Sequence, residues 1–145
     1  MVDEQVFAEY ALFALQSQHT AEVAFALGVP RADRLLSAGR GGVVFRSGGP
    51  DHYAEVRVEL WPLRPPAIAG EWDEVDEARL ETSGTELRLA SPTAWVGDHP
   101  VLLPAPGRYR VRAAVAGREA ARARGGSGPP YPSGLERWLV QLWPA

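Results

Sequence analysis

The chain of 145 residues has the size of a single domain, which buries about 70% of its unfolded surface around one core. Hydrophobic residues make up 46%, charged residues 23%, and the formal net charge is −3, a composition that excludes wholesale disorder. Cys is absent, which excludes disulfides, thiolate nucleophiles and Cys-based metal sites. We expect one domain over residues 1–145.

The amino-terminal residues MVDEQVFAEYALFALQSQ place acids where a secretory signal would carry basic residues. Glu9 interrupts the apolar run, and no stretch reaches the roughly 18 uninterrupted apolar residues of a membrane span. These features predict a cytoplasmic protein with no membrane partner.

Alternation of apolar and polar residues with period two, interrupted by Gly and Pro, predicts an all-β protein. The predicted strands cover residues 5–16, 22–27, 42–46, 52–61, 75–82, 85–90, 108–116 and 136–143. The first of them also fits a helix, because its Ala, Leu, Gln and Glu residues are good helix formers. One helical turn is expected over residues 31–38, and a Gly- and Pro-rich connection over residues 121–133. The pattern predicts an antiparallel β-sandwich of about eight strands with at most one short helix.

The sequence V-x-L-W-P occurs twice, at residues 58–62 and 140–144. In both copies an alternating strand runs up to a Trp and ends at a Pro, which has no N–H to donate to a neighbouring strand. We expect Trp61 and Trp143 to lie at one rim, on strand faces that point away from the core, whereas Trp138 falls on the core face. Exposed Trp rings stack on flat ligands, so a small-molecule or carbohydrate-binding module is one candidate function.

Charge is distributed unevenly along the chain. Residues 1–106 carry 16 acids and 8 Arg, whereas residues 107–145 carry 7 Arg and 2 acids. A basic part of this kind is typical of nucleic-acid binding. However, Arg108, Arg110 and Arg112 alternate with apolar residues, which puts them on one strand face where acids of a neighbouring strand can offset them. The pattern therefore favours a solvated polar face, and no nucleic-acid partner is expected.

An acidic run, EWDEVDE, begins at Glu71. Residues 71–81 predict a negative surface that suits a basic protein partner, and a Trp within it would anchor the complex. The candidate binding residues are Glu71, Trp72, Asp73 and Glu74, together with Trp61 and Trp143. The main hypothesis is a non-enzymatic immunity or inhibitor-type protein, monomeric or homodimeric, that uses no cofactor.

Catalytic motifs are sparse. The chain has only 3 His, and no G-x-S-x-G elbow, P-loop or His-x-His spacing occurs. Two dipeptides, Asp51-His52 and Asp98-His99, leave a metal-dependent enzyme as a second alternative, provided that the two loops meet. Adjacent residues of an extended chain point to opposite sides, which disfavours such a site. We therefore expect no enzymatic activity and no bound metal.

The carboxyl-terminal third reads PGRYRVRAAVAGRE followed by ERWLVQLWPA. It resembles the ending of a set of small uncharacterised bacterial proteins with a G-x-Y-R-V-R strand, a Gly-Arg turn and a final L-x-Q-L-W-P strand. The likeness extends over residues 52–145 and implies a β-sandwich without known catalytic residues. In strand layout the chain is also similar to the competence-associated nuclease inhibitor and to polymorphic-toxin immunity proteins, which implies an inhibitory role.

Overall fold

A computed structural model describes residues 1–93 and 95–145. Over these residues the chain forms ten strands, one 3-10 helix and one α-helix. The strands are β1 (Val2–Phe7), β2 (Leu12–Ser17), β3 (Leu36–Gly39), β4 (Gly42–Arg46), β5 (Tyr53–Leu60), β6 (Glu74–Thr82), β7 (Glu86–Ala90), β8 (Val101–Leu102), β9 (Gly107–Ala116) and β10 (Ser133–Pro144). The 3-10 helix covers Ala24–Leu27, and helix α1 covers Arg118–Arg124.

The strands form two five-stranded sheets that face each other across the core. The first sheet has the order β1-β5-β10-β9-β6, and the second has the order β3-β4-β2-β7-β8. The prediction of an all-β sandwich is confirmed. The first sheet is not purely antiparallel, because β5 and β10 run parallel to each other. The other strand pairs of the described residues are antiparallel.

Apolar residues from both sheets meet in one core, because period-two alternation puts every second side chain on the inner face. Trp138 of β10 is 2% exposed there. Its ring packs edge-on against Phe13 and Phe45 of the opposite sheet, with centroid distances of 5.2 and 5.5 Å. The predicted core position of Trp138 is confirmed. Replacing a buried Trp by Ala costs about 3–5 kcal/mol, so this residue is a major tie between the sheets.

The amino-terminal part departs from the predicted elements. Residues 5–16 are not one strand, because Tyr10 and Ala11 adopt positive φ angles of 55° and 61° and turn the chain between β1 and β2. The strand predicted at 22–27 is wrong, since this segment contains the 3-10 helix. The helical turn predicted at 31–38 is also wrong, since the chain there is irregular and then enters β3.

The 3-10 helix forms because the outer face of the second sheet is apolar at this point. Ala14 and Val44 on that face are buried together with Ala24, and Phe25 and Leu27 pack against them. Contact with an apolar sheet face overrides the strand pattern that the local sequence suggests. The connection between β2 and β3 therefore covers the outer face of the second sheet over β2 and β4.

Helix α1 lies partly where the sequence predicted the connection 121–133. Its sequence, REAARAR, consists of good helix formers, and Gly125 follows it as the residue after the last turn. The helix backbone approaches Gly48 and Gly49 so closely that a Cβ atom on Gly49 would lie 2.0 Å from the Ala121 carbonyl oxygen. In the part of the chain that the structure describes, no helix is long and apolar enough to cross a membrane.

Candidate functional site

The outer face of the first sheet is covered on one side by the connection between β5 and β6, residues 61–73, which we call the strap. Because β10 and β9 lie between β5 and β6 in the sheet, the strap must cross them. The Arg112 guanidinium of β9 donates hydrogen bonds to the carbonyl oxygens of Pro65 and Pro66. At the far end, the Asp73 N–H donates to the Val115 carbonyl oxygen at 2.8 Å. The strap is thus fixed to β9 at two points.

Trp143 lies beneath the strap. Its predicted exposure is wrong, because the side chain is 4% exposed. The ring is flanked by two guanidinium groups, with the Cζ atoms of Arg64 and Arg112 at 5.1 and 5.6 Å from its centroid. The strand register put Trp143 on the outer face correctly, but that face is covered here. Outward orientation does not amount to exposure where a connection crosses the sheet.

Trp61 ends the other copy of the repeat and is half-buried. Its backbone N–H donates to the Leu142 carbonyl oxygen at 2.8 Å, so the two repeats do end side by side at one rim. Its indole Nε1–H donates to a Glu59 carboxylate oxygen at 3.1 Å. Of the two Trp residues predicted at this rim, only Trp61 keeps substantial exposure.

A polar network connects the outer residues of the three central strands under the strap. The Gln141 side-chain oxygen accepts from Arg112 Nε and Nη2 at 3.1 and 2.7 Å, and its amide donates to Glu59 at 3.0 Å. Arg112 is 7% exposed, and burial together with nearby Arg64 lowers the pKa of its guanidinium from the ordinary value. The row of Arg108, Arg110 and Arg112 was predicted to be solvated, but Arg112 is buried.

The remaining half of this outer face, over β1, β5 and the first part of β10, forms a groove of about 560 Å³ that we call the open face. Alternation places Glu55, Arg57 and Arg137 outward, because Val56 and Trp138, which alternate with them, point into the core. The groove is lined by Asp3, Glu4, Gln5, Glu55, Val56, Arg57, Glu59, Trp72, Arg137, Trp138 and Leu139. It therefore contains Trp72 of the predicted set.

Trp72 forms one wall of the open face at the end of the strap. Its indole Nε1–H donates to the Ala69 carbonyl oxygen at 3.0 Å, which fixes the ring orientation. The guanidinium Cζ of Arg137 lies 4.3 Å from the ring centroid, a favourable cation–π distance. The ring remains partly exposed. Such a rigid, amphipathic aromatic group is typical of an interface anchor.

Carboxylates outnumber guanidinium groups among the side chains on the open face. Asp3 accepts two hydrogen bonds from Arg57, at 2.8 and 3.2 Å, and this pairing lowers the pKa of the Asp3 carboxyl. Arg137 lies on Trp72. Glu59 accepts only neutral donors, and the exposed Glu55 side chain has no hydrogen-bond partner within the described residues. The open face therefore keeps a net negative charge, because its carboxylates exceed the two guanidinium groups of Arg57 and Arg137.

The other predicted acidic residues lie outside the groove. Glu71 is exposed but does not line it. The Asp73 carboxylate accepts from the backbone N–H groups of Gly117 and Arg118, at 3.0 and 3.1 Å. Glu74 lies 3.8 Å from the Arg118 guanidinium. Asp73 and Glu74 thus stabilise the start of helix α1, in an arrangement that sequence spacing could not reveal.

Further along the same acidic run, the carboxylates are matched by Arg residues. Asp76 lies 2.7 Å from Arg34, and Glu77 lies 2.9 Å from Arg64 and 3.2 Å from Arg110. Burial raises the pKa of the Asp76 carboxyl, but the bonds from Arg34 and from two backbone N–H groups outweigh it and lower the pKa overall. This part of the predicted acidic surface is largely offset internally.

A second depression, of about 370 Å³, lies beside the open face and shares Gln5 with it. We call it the aromatic pocket. It is lined by Gln5, Phe7, Glu9, Tyr53, Ser91, Thr93 and Trp95. The Phe7 ring packs 5.1 Å from Tyr53 and 5.0 Å from Tyr131, measured between centroids. No sequence motif marks this pocket, although period two puts Phe7 on the same face as Asp3 and Tyr53 on the same face as Glu55.

His52 belongs to a buried polar cluster. Its Nε2 atom lies 2.8 Å from the Ser47 hydroxyl oxygen, and that hydroxyl donates to the Gly49 carbonyl oxygen at 2.9 Å. Glu136 accepts from the Gly48 N–H and the Trp138 indole, at 2.8 and 2.7 Å. Ser47, His52 and Glu136 are each at most 3% exposed, so no substrate reaches the Ser–His pair. The cluster ties the β4–β5 turn to β10.

The two Asp-His dipeptides do not meet. The His52 carbonyl accepts from the Ala8 N–H at 2.9 Å, whereas the His99 N–H donates to the Glu4 side chain at 2.8 Å. Four residues of extended chain separate Glu4 from Ala8, a span of about 13 Å. Among residues 1–93 and 95–145, no group of three or more acidic or His side chains is arranged to hold a metal ion. The second alternative, a metal-dependent enzyme that uses His52 and His99 together, is therefore wrong.

A third depression lies at the rim where the two repeats end. It has a volume of about 350 Å³ and an apolar lining. The lining residues are Leu60, Trp61, Pro62, Leu102, Leu103, Pro104 and Pro144. The rim therefore has a cavity at the predicted place, with Trp61 but not Trp143 in its wall.

Comparison with known proteins adds a fold relationship. No protein-family model matches the chain, and no curated sequence matches it. The fold is similar to that of ComJ from Bacillus subtilis, described as an inhibitor of the DNA-degrading activity of NucA. The TM-score is 0.65 at 9% identity, covering 100% of this chain and 96% of ComJ. It is also similar to the crocagin biosynthetic gene J protein, with a TM-score of 0.57 at 15% identity, over 99% of this chain and 94% of that one. At these identities the likeness shows a shared fold.

Proposed function

We propose that the protein is a non-enzymatic inhibitor or immunity-type protein that binds a basic protein partner through the open face. The observation that carries this proposal is the uncovered half of the first sheet. The strap covers the outer face of the first sheet at Arg112 and Trp143, and the 3-10 helix covers part of the outer face of the second sheet. The half over β1 and β5 keeps a groove with net negative charge, walled by Trp72.

The chemistry of the open face indicates the class of partner. Enzymes that degrade nucleic acids carry basic surfaces, because their substrate is a polyanion. A surface with net negative charge and an exposed carboxylate such as Glu55 complements such a protein and accelerates its encounter with it. The likeness to ComJ, itself an inhibitor of a DNA-degrading activity, supports a nuclease as the target.

Affinity capture with mass spectrometry tests this function. Tagged wild-type protein, Trp72→Ala, Glu55→Lys and Glu81→Lys are incubated with lysate of the native host, and bound proteins are eluted with rising salt. Glu81→Lys is a matched control, because Glu81 is an exposed strand carboxylate on β6, at the opposite edge of the same sheet.

The expected result is one stoichiometric basic protein on the wild type and on Glu81→Lys that elutes as salt rises. Its recovery falls at least about fivefold on Trp72→Ala and on Glu55→Lys, as for an anchor and a complementary charge at an interface. Equal recovery on all four baits would reject the open face as the binding surface. Recovery of the bait alone would reject the inhibitor function.

The rim cavity supports a second candidate function, the binding of a small apolar ligand. Its lining has the aromatic and aliphatic character of ligand pockets, with Trp61 in the wall. Titration with a panel of metabolites and glycans, followed by Trp fluorescence, tests it. A saturable change that Trp61→Phe abolishes would support this candidate, and an unresponsive spectrum across the panel would reject it.

A further inference from the structure

The aromatic pocket contains a carboxylate with a defined position and no internal cation. Glu9 accepts from the Thr93 N–H at 2.9 Å and from the Thr93 hydroxyl at 2.6 and 2.8 Å. These donors are neutral, and no Arg or His lies within ion-pair distance of Glu9 in the described residues. A carboxylate has about four acceptor sites, so Glu9 can accept further hydrogen bonds.

The aromatic rings around Glu9 likewise have no cation stacked on them in the part of the chain that the structure describes. Trp72 and Trp143 each lie against Arg side chains of this chain, whereas no cation of the described residues lies over Phe7, Tyr53 or Trp95. Tyr53 and Trp95 are 38% and 40% exposed. The pocket thus combines open π-faces with a fixed negative charge, which is the chemistry that binds an organic cation.

We propose that the aromatic pocket binds an Arg side chain of the protein partner, an inference that rests on the proposed function and specifies one anchor of the complex. A guanidinium group is planar, stacks on aromatic faces and donates paired N–H groups to a carboxylate. The pocket volume of about 370 Å³ accommodates such a side chain. Since Gln5 lines both depressions, the Arg is presented by a partner that lies on the open face.

The test uses three short peptides, each with one central residue flanked by Gly and with blocked ends. The central residue is Arg, its neutral isostere citrulline, or Lys. Each peptide is titrated into the full ¹⁵N-labelled protein, and the Trp95 indole N–H and the backbone signals of residues 5–9 are followed by NMR. The variants are Glu9→Gln and Trp95→Ala, with Glu81→Gln as the control, because Glu81 is an exposed carboxylate on β6, at the opposite edge of the sheet from β1.

We expect the Arg peptide to shift these signals with an affinity at least about fivefold higher than the citrulline peptide, as the loss of charge predicts. The Lys peptide binds more weakly than the Arg peptide because it lacks the planar fork. Glu9→Gln and Trp95→Ala weaken Arg binding about three- to tenfold, whereas Glu81→Gln leaves it within about twofold. Glu9→Gln keeps an acceptor oxygen for Thr93, so the pocket remains folded.

Equal binding of the Arg and citrulline peptides, or shifts outside the pocket, would overturn the inference. The outcome is separable from that of the proposed function. If a partner is captured and binds Glu9→Gln and Trp95→Ala as tightly as the wild type, the inference fails while the function stands. If the Arg peptide binds as expected but no partner is captured, the pocket is a cation site and the inhibitor function fails.

Discussion

Val58 of β5 and Val140 of β10 face each other in a parallel pairing, and the residues that follow them pair in the same register. The two V-x-L-W-P repeats are therefore hydrogen-bonded to each other, and both strands stop at the same rim at a Pro that cannot donate. The same register places Arg137 beside Glu55 and Leu139 beside Arg57. The repeat thus sets both the rim cavity and the composition of the open face.

Arg112 is the main hydrogen-bond donor from the sheet to the strap. We expect Arg112→Met to lower the free energy of unfolding by about 2–4 kcal/mol, because Gln141 and two strap carbonyl oxygens lose a charged donor. Urea unfolding measures the loss. Arg108→Met is the control, since Arg108 is an exposed Arg of the same strand and its replacement costs under about 0.5 kcal/mol. Equal losses in the two variants would contradict this role.

His52 makes stability depend on pH. Burial lowers the pKa of its imidazole below the ordinary 6.5. The charges of Glu136 and Asp51 and a hydrogen bond with the Gly49 backbone raise this pKa, but burial outweighs them. Its Nδ1 atom is buried without a partner among the described residues, so a proton there would be a buried charge. Below about pH 6.5 the unfolded state therefore binds more protons than the folded state. The contribution of His52 to the free energy of unfolding is full above about pH 6.5 and is lost as the pH falls from there through the lower pKa of the folded state.

We expect His52→Gln to be less stable at pH 7.5 but to lose the stability change between pH 7 and 5. Gln does not titrate, and its amide can still bond to Ser47. Chemical unfolding at several pH values measures both effects. His99→Gln is the matched control, because the exposed His99 side chain makes no hydrogen bond or ion pair among the described residues, so the slope should survive in this variant. A wild-type curve that is flat over this range, or one whose slope survives in His52→Gln, would contradict the prediction.

Gly49 allows helix α1 to contact the β4–β5 turn. A Cβ atom there would lie 2.0 Å from the Ala121 carbonyl oxygen, so Gly49→Ala forces the helix away. We expect a loss of about 2–4 kcal/mol, at the upper end of overpacking effects. Gly128→Ala separates this clash from backbone strain, since Gly128 has φ of 83° and nothing near its Cβ position. It should cost about 1 kcal/mol. Thermal unfolding of both variants measures the two losses, and a loss in Gly128→Ala as large as that in Gly49→Ala would contradict the role of the clash.

Strands with strict alternation were predictable, because one inner and one outer face follow directly from period two. Trp138 was placed in the core by this reasoning, and β5, β9 and β10 were found within a few residues. Alternation did not predict the burial of Trp143. Its outward orientation follows from the strand register, but its burial depends on the strap, which comes from another part of the chain. Local patterns do not report such tertiary coverage.

The candidate site was predictable only in part for the same reason. Trp72 does line the open face, but the Asp73 carboxylate is used by backbone N–H groups more than 40 residues away in sequence. The number of acids in the run from Glu71 does not show which carboxylates are paired with Arg side chains or backbone N–H groups in the folded chain. Glu55 and Glu9, which no Arg of the described residues hydrogen-bonds, lie far apart in sequence. The pairing of β1 with β5 puts Glu55 opposite Gln5, which lines both the open face and the aromatic pocket that contains Glu9.

The most direct test of the open face is carboxylate footprinting by mass spectrometry. The protein is labelled at exposed Asp and Glu side chains, alone and in complex with its captured partner. We predict that labelling of Glu55 and Glu9 falls several-fold in the complex, while Glu81 and Glu119 keep their labelling. Unchanged labelling of Glu55 and Glu9, with protection at Glu81 or Glu119 instead, would contradict the account and place the partner on another surface.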